Sequence, residues 1–155
     1  MRMPPASSHR ASEPPAIITL GIQDAREVLT LQRAAYVTEA VAHDDFSLPP
    51  LTQTLVDLKA EISAPEVTAV GIGDNGRLIG AVRLRRIGSV IELGRLTVAP
   101  DRQGEGVGTP LLRHAEMVFP EAQEIRLFTG KRSTANIRLY TRHGYQKTGR
   151  TSAGH

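Results

Sequence analysis

The segment "LTVAPDRQGEGVGTPLLRHAEMVF", Leu96 to Phe119, constrains the fold more than any other part of the chain. An apolar, strand-like run enters a loop with glycines at alternate positions, Gly104, Gly106 and Gly108, and an amphipathic helix follows at once. A helix N-terminus presents unpaired N–H groups and a partial positive charge, and glycines let successive amides curl around an anion. Thr109 reads as the helix N-cap with Pro110 at the first helical position, so the amides of about residues 104–109 should converge on one spot. The spacing is neither G-x-x-x-x-G-K-S/T nor G-x-G-x-x-G, and both of those loops need a parallel βαβ context that is absent here. A glycine-rich turn without a ligand is the other reading.

The context is a meander. "EVTAVGIGDNGRLIGAVRLRRI" holds two strand-like runs around Asn75-Gly76, a pair suited to a type I′ hairpin turn, and "SVIELGRLTVAP" supplies a third strand. Upstream, "AIITL" reads as a first strand and "QDAREVLTLQRAAYVTEAV" as a helix, with a stripe of Ala25, Val28, Leu29, Leu31, Gln32 and Ala35. "AHDDFSLPP" reads as a loop, after which Thr52 or Thr54 starts a second helix bearing Leu55, Leu58 and Ile62. Downstream, Leu111, Leu112, Ala115 and Val118 line one face of the helix after the glycines, up to Pro120. "EIRLFTG" is a further strand, "TANIRLYTRH" a helix stopped by Gly144, and "YQKTGR" a last short strand. This order specifies a mixed α/β sheet, antiparallel in front and with crossover helices behind. Residues 1–14 read as a disordered tail and 15–155 as a single domain.

Charge divides unevenly: residues 1–74 carry a net −5 and residues 75–155 a net +8, for a total of +3. The basic half suits an anionic partner and the acidic half a cationic one, with ordinary solvated faces as the alternative. Nucleic acid is disfavoured, since the basic residues form no run and aromatics are scarce. The chain has no cysteine and no apolar run of membrane-spanning length, which fits a cytoplasmic protein without a membrane. Its five histidines show no metal-ligand spacing, so no metal is expected.

Two motifs together resemble one family. "QGEGVG", Gln103 to Gly108, matches the R/Q-x-x-G-x-G/A signature of the GCN5-related N-acetyltransferases (GNAT), and "NIRLYTRHGY", Asn136 to Tyr145, is similar to a second region of that family. They stand in the family's order, about thirty residues apart. The resemblance covers most of the chain and implies the GNAT fold, with acetyl-CoA as co-substrate. It also implies a further strand after Arg150, between the strands at 125–129 and 145–148. Five residues are too few for that strand, so the chain reads as lacking it, by truncation or because a second copy completes the sheet in a homodimer.

Acetyl transfer needs a neutral amine, a polarised thioester and a protonated leaving thiolate. An alkylammonium with a pKa of about 10 must lose its proton first. Glu92, in "VIEL", is the expected base, with a solvent-facing glutamate or one paired to Arg83 or Arg95 as the alternative. Tyr140 occupies the family's general-acid position, and a half-buried helix aromatic is its bland counterpart. The resemblance further implies cofactor contacts from Leu96 and Val98 through their backbones, from Gln103, Gly104, Glu105, Gly106, Val107, Gly108 and Thr109, and from Asn136. Arg102 and Arg142 are candidates for the outer phosphates. Thr97 should face the acceptor cleft, covered in such folds by the first two helices. There Tyr36, Asp45 and Phe46 are substrate candidates, since aromatic and acidic groups together hold cations. The expected function is transfer of acetyl to a primary amine of a small molecule in a ternary complex. A non-catalytic acyl-CoA-binding regulator is the rival, as is acetylation of a protein N-terminus or an aminoacyl-tRNA.

Overall fold

The computed structural model describes residues 14–127 and 134–145, with the side chains of His43 and residues 134–136 outside that description. Strand β1 (Ala16–Leu20) leads through a 3-10 turn into helix α1 (Ala25–His43). A one-turn helix α2 (Pro49–Thr52) and helix α3 (Leu55–Ser63) follow. Next come β2 (Val67–Asp74), β3 (Arg77–Ile87), β4 (Val90–Val98), α4 (Gly108–Val118), β5 (Glu124–Leu127) and α5 (Thr134–Arg142). The sheet runs in sequence order, antiparallel from β1 to β4, and β5 joins β4 in parallel. This is the mixed architecture the sequence predicts. Of the final strand expected at 145–148, only Tyr145 lies within the described residues.

Local chemistry accounts for most boundaries. Asn75 and Gly76 both take positive φ, 53° and 79°, as a type I′ turn requires. Thr54 is the N-cap of α3, its hydroxyl accepting from the Asp57 amide at 3.1 Å. Two expectations fail. The segment read as a loop ends inside α2, which Pro49 begins at a position where its missing N–H costs nothing. Helix α4 starts at Gly108 with Val107 as its cap residue, so Thr109 lies inside the helix. Val107 is buried and already at helical angles (φ −65°, ψ −35°), and its burial in the core sets the start in place of a capping hydroxyl.

Helices α1 and α3 cover one face of the sheet and α4 the other. Arg83 of β3 bonds to Gln32 of α1 and Glu61 of α3, whereas Gly80, an odd number of residues away, lies under Leu111 of α4. Leu58, Ile79, Leu84, Leu93, Leu111 and Leu112 are fully buried between these layers. Each contributes roughly 1.5–3 kcal/mol by leaving water.

One irregularity positions the site. Between the pairs Arg83↔Gly94 and Ala81↔Thr97, two residues of β4, Arg95 and Leu96, stand opposite Val82 alone. Arg95 takes φ 55° at this bulge. Glu92 lies opposite Arg85 and Thr97 opposite Ala81, so both share the face of Arg83. Strict alternation would have put them on opposite faces, because they are five residues apart. The parallel ladder to β5 runs from Val90↔Glu124 to Leu93↔Leu127, just short of the bulge.

Candidate active site

The glycines after β4 fall into two physical classes. Gly104 and Gly106 take φ of 81° and 83°, which side-chain-bearing residues rarely adopt, and a Cβ on either would meet nothing within 4 Å. They are required by backbone shape and face open space, as a cradle for an anion at the start of α4 requires. Gly108 serves packing. A Cβ there would come within 2.9 Å of Leu139 Cδ2, so this glycine lets α5 lie directly against the start of α4.

The loop is braced from beneath. Arg102 donates to Asp74 at 2.9 Å and to Glu105 at 2.7 Å, and these carboxylates raise its pKa. Arg77 forms a two-bond ion pair with Asp101, whose pKa that pairing lowers to about 2. The Gln103 amide group donates to the Val98 carbonyl at 3.3 Å. Arg102, expected among the phosphate ligands, therefore has its charge engaged by two carboxylates of the loop and hairpin. Arg142 is exposed in the last turn of α5. Thr109 is half-buried in the first turn of α4. Asn136 lies on α5, its side chain outside the described residues.

Leu139, the residue that seats on Gly108, precedes Tyr140. Tyr140 is buried at 5% exposure, and its ring meets Tyr145 edge-on at 6.2 Å between centroids. Burial, then the nearby Tyr36 and Tyr145, push the Tyr140 phenol well above its ordinary pKa of 10. Tyr36 of α1 is equally buried, and burial raises its pKa, while the Arg95 and Arg83 charges act in the opposite sense. Tyr36 thus acts electrostatically on the Tyr140 phenol.

Beneath α1 lies a polar network. The Arg83 Nε donates to Glu61 Oε2 at 2.6 Å, and its Nη2 donates to Gln32 Oε1 at 2.9 Å. The Gln32 amide donates to the Pro50 carbonyl at 2.8 Å and to Gln53 Oε1 at 3.0 Å, and Gln53 donates to Glu61 Oε1 at 2.8 Å. Gln32, which the sequence placed in an apolar stripe, is the buried hub joining α1 to the α2–α3 connection. Burial favours the neutral form of Glu61, but the Arg83 charge and the bonds from Gln53 and Arg83 outweigh it and hold the pKa below the usual value.

The structure sets Glu92 and Thr97 on the same sheet face. Glu92 is half-buried in β4, flanked in register by Arg85 and Arg126. The Thr97 hydroxyl is buried and donates to the Ala81 carbonyl at 3.4 Å. Leu96 is buried and Val98 packs against the core on the α4 face. Asp45 accepts from the Ser47 amide and hydroxyl at 3.0 and 2.6 Å, a turn-forming role, and Phe46 is exposed. Two residues the sequence reading valued only as partners for Glu92, Arg83 and Arg95, are central to this face. The signal available was an arginine within each apolar strand.

An open glycine cradle at a helix start thus lies beside a helix that carries a buried tyrosine. The family model described as Acetyltransferase (GNAT) family matches residues 27–145, and the chain belongs to that family. Among curated proteins it is 31% identical over 125 residues to UPF0157 protein YqkA of Bacillus subtilis (strain 168). That match covers 79% of this chain and 35% of the relative, so the chain spans about a third of that protein's length. Among solved structures, the PaiA N-acetyltransferase of Thermoplasma acidophilum in complex with coenzyme A superposes with a TM-score of 0.80 at 20% identity, covering 92% of this chain and 96% of that one. The ribosomal-protein-S18-alanine N-acetyltransferase of Escherichia coli superposes with a TM-score of 0.72 at 17% identity, over 91% and 87% of the two chains. Among the described residues, no helix is long and apolar enough to cross a membrane, and no three metal-ligating side chains cluster.

Proposed function

We propose that this chain transfers the acetyl group of acetyl-CoA to a primary amine of a small molecule, directly and within a ternary complex in the cytoplasm. The observation that carries this reading is the seat of Leu139 on Gly108, which fixes the Tyr140 helix against the helix whose first amides follow the open glycine cradle. The open space at Gly104 and Gly106 suits the diphosphate of coenzyme A, and the backbones of Leu96 and Val98 suit its pantetheine amides.

The amine nitrogen attacks the thioester carbonyl carbon and the carbon–sulfur bond breaks. Tyr140 gives its proton to the departing thiolate; burial raises the phenol pKa and so keeps it protonated beforehand. The proton lost by the amine passes toward Glu92, on the α1–α3 face. With no cysteine in the sequence, no thioester to the enzyme intervenes.

The test follows free thiol while acetyl-CoA is incubated with a panel of amines. Turnover that disappears in Tyr140→Phe and falls in Glu92→Gln supports the reading. Coenzyme A binding without turnover across amines, peptide N-termini and charged tRNA would make the chain a binding module instead.

A further inference from the structure

The bulge in β4 turns Arg95 toward the helical layer and leaves it without a partner. Its Nη1 is fully buried and has no hydrogen-bond acceptor among the described residues. The carboxylate that acts on it electrostatically is Glu61, but both Glu61 oxygens are already bonded, one to Arg83 and the other to Gln53. Tyr36 also acts on this guanidinium electrostatically. Arg83 is compensated by Glu61, whereas no ion pair engages the half-buried Arg95 among the described residues. Burial and the neighbouring Arg83 charge both lower its pKa, which marks the cost of leaving it unpaired.

We propose that Arg95 seats a carboxylate of the acceptor, so that the amine acetylated belongs to an amino acid. The inference rests on the acetyltransferase reading above. A carboxylate carries one negative charge and matches the planar fork of a guanidinium through two parallel hydrogen bonds. A phosphate monoester would carry closer to two charges, one more than the site leaves unbalanced. The Arg95 charge acts on the Tyr36 phenol, and Tyr36 in turn acts on the Tyr140 phenol, so the three groups share one electrostatic neighbourhood. The bulge conformation at Arg95, φ 55°, is what makes this possible. In a regular strand the arginine would follow Glu92 by an odd interval and point to the α4 face.

The closing experiment has two arms. In the first, acetyl transfer to a series of amino acids is compared with transfer to their primary amides, which keep the amine and lose the charge. The acids should exceed the amides at least tenfold in kcat/KM, mainly through KM. The ratio should fall toward one in Arg95→Met and recover in part in Arg95→Lys. In the second, the side-chain guanidinium resonances of the unmodified protein are followed while acetate is added, and Arg95 should shift with saturation. Acetyl transfer that is indifferent to the carboxylate overturns this inference and leaves the acetyltransferase reading standing. No transfer to any amine, with Arg95 shifting on acetate, supports the anion seat and overturns the acetyltransferase reading. No transfer and no shift overturns both.

Discussion

Tyr145 closes the helix that carries Tyr140. Its amide donates to the Tyr140 carbonyl at 3.1 Å, Gly144 at φ 90° donates back to Thr141 at 3.1 Å, and the two tyrosine rings meet edge-on. These are the two hydrogen bonds and the apolar contact of a Schellman C-cap. The Tyr145 hydroxyl then donates to Glu116 of α4, tying the end of α5 to the helix behind the glycine cradle. Tyr145→Phe should keep the ring contact and lose this tie. A hydrogen bond to a charged acceptor is worth roughly 1.5–3 kcal/mol. Glu116 is only half-buried, so a loss of about 1 kcal/mol, read in urea melts, is expected.

The Tyr140 phenol should act at the chemical step alone. Tyr140→Phe should lower kcat by roughly 10²–10⁴-fold with the midpoint of thermal unfolding little changed, because the ring stays in its buried place. Burial raises the phenol pKa above 10, so it remains protonated through neutral and moderately alkaline pH. The pH profile of kcat/KM should therefore show no descending limb from Tyr140 below pH 10. An alkaline fall that vanishes in Tyr140→Phe would contradict this.

Gly104→Ala and Gly108→Ala should behave differently although they stand four residues apart. At Gly104 the new methyl meets open space but strains the backbone, at roughly 1–3 kcal/mol. The effect should fall chiefly on coenzyme A affinity, measured by calorimetry. At Gly108 the methyl drives into Leu139, and overpacking costs about 1–3 kcal/mol while shifting α5. That variant should lose kcat together with stability.

Breaking the network under α1 should be costly. Glu61→Ala leaves Arg83, 6% exposed, without its counter-charge. Removing one member of a buried pair costs roughly 3–5 kcal/mol; Glu61 keeps 22% exposure, so the low end is expected in chemical denaturation. The same pair gives a pH dependence. The folded-state pKa of Glu61 lies below the ordinary glutamate value of 4.5, so its contribution is complete above that value and is lost as pH falls through the lowered one. Unfolding midpoints of the native protein should drop across that acid range more steeply than those of Glu61→Gln.

Much of this was legible in the sequence because it rests on local rules. The Asn75-Gly76 turn, the Thr54 cap, the apolar stripe of α4 and the Gly144 stop each follow from what a few adjacent residues can adopt. Where a long-range contact decided, the sequence misled. Val107 starts α4 because it is buried, which displaced Thr109 from the cap. Gln32 looked like part of an apolar stripe because its partners, Pro50, Gln53 and Arg83, are brought to it only by folding. The three glycines looked alike, yet only Gly104 and Gly106 answer to backbone shape, while Gly108 answers to a leucine 31 positions later.

The sequence by itself determined the order of the strands and of every helix but the one-turn α2, the glycine cradle and the placing of Tyr140 on the last helix described. Period, turn chemistry and capping act over a few residues and need no tertiary partner. Only the tertiary structure decided which side chains share a face and a charge balance. One extra residue in β4 reverses the alternation of the strand, placing Glu92 and Thr97 together and turning Arg95 toward Tyr36. Such a bulge is set by pairing with β3, and the pairing exists only in the folded sheet.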